Sequence, residues 1–170
     1  MAEQLSIEGL RSMLQKRDAG AADPDEVRFE AAARRFERAV HTLVDQISVV
    51  VRQIPELEIA LEDEVETFTS PAFPGRSLDI RDQRLRITRG DDVLLFDPTA
   101  KALLSALGQV EVEATRPLSF MVEKVLYLIP DRSGERATWG YRSVENLGGP
   151  LAPFNQQALL RILAAVFAEE

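Results

Sequence analysis

His41 is the only histidine in the chain, and Glu37 and Asp45 stand four residues before and after it. On a helix that spacing places all three on one face. Such a set could hold an acid–base imidazole between carboxylates, or grip a metal weakly. One imidazole and two carboxylates do not close a zinc site. The three residues also flank an apolar stripe, so a solvated charged face is the favoured reading. The second group is acidic: Glu56, Glu58, Glu62, Asp63, Glu64 and Glu66, with no Lys or Arg between Arg52 and Arg76. It could take calcium or a basic partner, but it lacks the glycine and the alternating oxygen ligands of a calcium loop. Its expected counterpart is internal. Arg81, Arg84, Arg86 and Arg89 surround Leu85 and Ile87 on a following strand. If the two strands pair, opposite charges face each other across the ladder. Asp63, on the inward phase, would protect a sheet edge.

The same arginines make the best case for an anionic ligand, yet no aromatic platform interleaves them as single-strand binding would want. Trp139 and Tyr141 flank Gly140 on one strand. They could line a pocket, but core packing with polar tips near the surface is the favoured reading. The sequence has no phosphate loop, dinucleotide fingerprint, nucleophile elbow or zinc-protease helix. A carboxylate pair distant in sequence stays open as a hydrolytic alternative.

The elements that would position these groups follow from periodicity. Ser6 to Lys16 reads as a short helix and Asp18 to Ala22 as a linker. Asp23 as N-cap, Pro24 and Glu26 then start a long helix. Phe29, Ala32, Phe36, Val40, Leu43, Ile47, Val50 and Ile54 recur at steps of three or four until Pro55. Roughly 30 residues make a helix of about 45 Å, against a globule about 40 Å across. The stripe therefore covers a whole sheet or is shared with a second copy.

From residue 56 the period changes. Alternation is read at Leu57 to Val65, with a helical reading also open, at Leu78 to Ile80, at Leu85 to Ile87 and at Val110 to Ala114. Gly90-Asp91 and Asp131 to Glu135 read as turns, Met121 to Ile129 and Arg136 to Val144 as strands. Lys101 to Leu107 is open between helix and strand. A last helix is expected at Phe154 to Ala168. Grouped strands with helices at the ends indicate an α+β fold. The expectation is an antiparallel meander flanked by a long N-terminal and a C-terminal helix, with a short helix and linker over 1–22 and one domain over 23–170.

The chain has 170 residues, 45% hydrophobic, a net charge of −8 and no cysteine. The length suits one domain with its own core. Without cysteine there is no disulfide scaffold, thiolate zinc site or cysteine nucleophile. The acidic balance argues against nucleic acid. Six of the eight net charges lie in Glu56 to Glu66. MAEQLSIEGL lacks the pattern of a signal peptide, and no run approaches the ~20 apolar residues of a membrane span. A cytoplasmic protein is the expectation.

Phe36-Glu37-Arg38-Ala39-Val40, Phe96-Asp97-Pro98, Gly108 before Val110-Glu111-Val112, Trp139 and Leu159 to Phe167 together form a recognisable layout. It resembles a group of small bacterial proteins built from a helix, a β-meander and a closing helix, with no assigned activity. The resemblance covers most of residues 25–168. It implies the fold and no functional residue. The expected function is therefore a non-catalytic interaction module, homodimeric through Phe36, Val40, Leu43, Ile47 and Val50. By size, charge and element order the chain also resembles bacterial secretion chaperones and immunity proteins, which hold a protein client. A carboxylate-based or metal-assisted hydrolase is the remaining alternative. No catalytic, cofactor or metal residue is assigned.

Overall fold

The computed structural model describes residues 6–20, 23–133 and 136–169. Helix α1 runs over Ile7–Gly20, longer than the sequence suggests, and takes in the first part of the expected linker, Asp18 to Gly20. Residues 21–22 lie outside the described residues, as do Gly134 and Glu135 of the expected hairpin loop.

Helix α2 spans Pro24–Val51. The Asp23 side chain accepts from the Asp25 backbone N–H at 3.0 Å, supplying one of the partners a helix start lacks. Arg76 reaches the same carboxylate at 2.6 Å and holds Asp23 below its usual pKa. The buried face is Phe29, Ala33, Phe36, Val40, Leu43, Val44, Ile47, Ser48 and Val51. The helix stops before Pro55 because residues 52–54 tighten into a turn, with Gln53 N–H on Val50 and Ile54 N–H on Val51.

Seven strands follow: β1 Glu58–Phe68, β2 Leu78–Arg89, β3 Asp92–Thr99, β4 Gly108–Ala114, β5 Val125–Pro130, β6 Ala137–Tyr141 and β7 Ala152–Pro153. They form one antiparallel meander in chain order. Helix α3, Gln156–Phe167, closes the chain and is capped by the Asn155 side chain on Ala158 N–H at 3.0 Å. The α+β reading with flanking helices therefore holds. β1 is a strand, not a helix. The expected strand from Met121 starts later, because Met121 makes only an isolated bridge to Ser143. Lys101 to Leu107 is neither helix nor strand beyond one parallel bridge, Thr69 to Lys101.

Period-two alternation fills the inner sheet face with Leu85, Ile87, Leu94, Phe96, Val110, Val112, Leu126 and Leu128, all buried. The Phe36 ring packs against Phe68 and Trp139, with centroids 5.9 and 6.5 Å away. Trp139 Nε1 donates to the Ala39 carbonyl at 3.4 Å, and buried Tyr141 sets its ring edge-on to Phe120. Both aromatics are therefore packed against the core, each through a neighbouring ring. Gly108 lies directly under Phe36: a Cβ there would overlap ring atoms Cδ2 and Cε2.

Candidate functional site

β1 and β2 pair over their whole lengths, but β2 pairs with β3 only from Leu85 to Arg89. Toward its start β2 has parted from β3. The end of β1 closes the gap: Thr69 N–H donates to Ala100 O, and Ala102 N–H to Thr69 O. Backbone groups in this stretch need other partners. Helix α2 supplies two of them. Arg81 N–H donates to Glu37 Oε2 at 2.8 Å, and His41 Nε2 lies 3.1 Å from Arg81 O. A carbonyl can only accept, so Nε2 carries the proton. The helical i, i+4 pair thus satisfies both main-chain groups of one strand residue. Asp45 is exposed one turn further on. The three-residue face expected to be solvated is, for two of its members, a clamp on β2. Glu37→Ala and His41→Ala should each lower stability by about 1 kcal/mol in urea unfolding. Wild-type midpoints in both would contradict the clamp.

The register sets the charges of this hairpin. Glu62 faces Arg84, as expected for an acidic strand beside a basic one, but Glu64 faces Asp82 and Glu58 faces Thr88. Like charges directly opposite destabilise a ladder, so this pair departs from the expected complementarity. Arg84 lies 3.2 Å from Asp97, 3.4 Å from Glu64 and 3.8 Å from Glu62. Glu66 Oε2 accepts from Ala100 N–H at 2.9 Å. Asp82 is 1% exposed, and neither carboxylate oxygen has a hydrogen-bond donor among the described residues. Burial, reinforced by the charges of Glu66, Glu64 and Asp97, pushes the Asp82 carboxyl up to about 7. Burial also raises Glu66, against the donated Ala100 N–H. One carboxylate oxygen from each of Glu64, Glu66 and Asp82 lies within 4.8 Å of the others.

His41, Asp63, Glu64, Val65, Arg81 and Asp82 line a recess of about 400 Å³ beside this cluster. His41 and Asp63 both line this recess, but each has a structural partner: His41 holds Arg81 O, and Asp63 accepts from Gln83 at 3.1 Å. Asp63 is exposed, so it is not an inward-pointing edge guard. Asp97 is tied to Arg84. Asp82 is the site residue that the sequence did not single out. Its signal was there in the alternation of Ile80 and Asp82, which places the acid at a buried position.

The stripe assigned to a partner divides. Phe36 and Val40 are buried beneath the sheet of their own chain and reach no surface. Leu43 and Ile47, also buried, form with half-buried Val50 the floor of a groove of about 510 Å³ between α2 and the start of α3. Exposed Val49, half-buried Phe154 and buried Leu159 complete its apolar lining. On α1, Ile7, Leu10, Met13 and Leu14 are between 45% and 82% exposed. Among the described residues no helix is long and apolar enough to cross a membrane. No protein-family model, curated protein or solved structure matches the chain.

Proposed function

We propose that the chain is a non-catalytic binding module that associates with a second copy of itself, helix α1 of one copy lying in the α2–α3 groove of the other. The exposed apolar stripe of α1 carries this reading. Ile7, Leu10 and Leu14 fall at helical spacing on one side, the pattern by which an amphipathic helix fills a groove. Tether length favours a second copy over the same chain. Leu43 stands nineteen residues beyond Pro24, about 29 Å along α2. Leu14 stands six residues before Gly20, about 9 Å, and the four steps from Gly20 to Pro24 add at most about 14 Å. Leu14 of the same chain would stop short of the groove, so a chain cannot seat its whole stripe in its own groove, while a partner's stripe has no such tether.

The same proposal places the protein with the small bacterial helix–meander–helix group and in the cytoplasm, where a chain without cysteine is at no disadvantage. It assigns no nucleic acid, since a net charge of −8 opposes a phosphate backbone. Sedimentation velocity tests the surface. The wild type should sediment as a dimer, and Leu10→Glu with Leu14→Glu, or Val49→Glu on the groove rim, as a monomer that still unfolds cooperatively, with a melting temperature independent of concentration. A dimer that survives both changes removes the helix-in-groove arrangement.

A further inference from the structure

We propose that Glu64, Glu66 and Asp82 form a binding site for one hard divalent cation, with calcium the best fit. Three observations carry this, independently of self-association. The first is geometry: the three carboxylate oxygens lie within 4.8 Å of one another. One ion can therefore touch all three, and magnesium keeps several of its waters whereas calcium takes carboxylates in their place, which suits a ligand as buried as Asp82. Register supplies the ligands from two paired strands, Glu64 directly opposite Asp82 and Glu66 two residues further along β1.

The second is Asp82 itself. It is 1% exposed, and both oxygens lack a donor among the described residues. Buried polar groups are nearly always paired, and an unpaired buried carboxylate is costly. One of its oxygens is directed at the two glutamates. The third is charge. The cluster's cation, Arg84, sits against Glu62, Glu64 and Asp97 and makes no ion pair with Asp82 or Glu66. Asp82 and Glu66 therefore have no ion-pair partner among the described residues, and a divalent ion would supply one. The ligands are oxygen only, which selects calcium, magnesium or manganese over zinc or copper. His41 lines the neighbouring recess, but its Nε2 is held by Arg81 O.

A proton shared between Asp82 and Glu66 would also relieve the repulsion, and the two solutions make different predictions. Isothermal titration of the full chain, stripped of metal with a chelator, should show one calcium ion bound per chain at pH 7.5, with weaker binding of magnesium. Calcium should raise the melting temperature by mass action. Asp82→Asn keeps the shape and removes the charge. It should weaken calcium binding at least about tenfold and abolish the calcium-dependent rise, and Glu64→Gln should do the same. Glu58→Gln, outside the cluster, should bind as the wild type does. The site is overturned by an absence of saturable binding up to about 10 mM, beyond the weakest protein calcium sites. Equal binding by wild type and Asp82→Asn overturns it as well.

Discussion

Asp82→Asn should be more stable than the wild type at pH 8 in the presence of a chelator, and close to it at pH 4. The sign follows from burial. The Asp82 carboxyl moves from 3.8 to about 7 in the fold, first by loss of water and then by the charges of Glu66, Glu64 and Asp97. A raised acid favours its protonated form in the folded state. That contribution is full below about pH 4, falls as pH rises through 4 to 7, and is gone above about 7. The whole displacement amounts to at most about 4 kcal/mol. Glu66 is raised as well and adds in the same direction. Asp23, lowered by Arg76, acts oppositely: its contribution is present above pH 3.8 and is lost as pH falls below it. Its window therefore lies under that of Asp82. Urea unfolding of both proteins from pH 4 to 8 measures this. Wild-type stability should decline across the range, and the asparagine variant should decline clearly less, keeping only the smaller share of Glu66. A level wild-type curve, or a variant weaker than wild type at pH 8, would contradict a buried unpaired Asp82.

Gly108→Ala should be among the most damaging small substitutions in the protein. Its methyl would enter the Phe36 ring at Cδ2 and Cε2, and that ring is pinned between Phe68 and Trp139. Overpacking of this kind costs about 1–3 kcal/mol. Phe36→Ala, which opens a cavity at a fully buried position, should cost about 3–5 kcal/mol. The two changes should be strongly non-additive. With the ring gone, the methyl enters space instead of a ring, so the cost of Gly108→Ala should fall to near zero. A coupling of about 1–3 kcal/mol in a double-mutant cycle is the expected result. Strict additivity would mean that β4 moves away from α2 rather than clashing with Phe36.

Periodicity made most of the frame legible. The stripe of α2 and the alternation along β4 are local patterns, and burial follows them directly. Asp23-Pro24 marks a helix start by its own chemistry. The site was less legible because its key contacts depend on register. Whether Glu64 faces an arginine or Asp82 is decided by the connection over residues 69–77, which has no period to read. The Glu37–His41 pair was visible on one helix face. Its target was not, because Arg81 needs partners only where β2 leaves β3. The α2 stripe shows a different limit. The same spacing serves a chain's own core and a partner's surface, and here Phe36 and Val40 serve the core.

Static light scattering across a dilution series of the full chain addresses self-association most directly. A mass near twice 19.0 kDa at high concentration, falling toward 19.0 kDa on dilution and held at 19.0 kDa throughout by Leu10→Glu with Leu14→Glu, is the predicted result. A wild-type mass of 19.0 kDa at every concentration would contradict it.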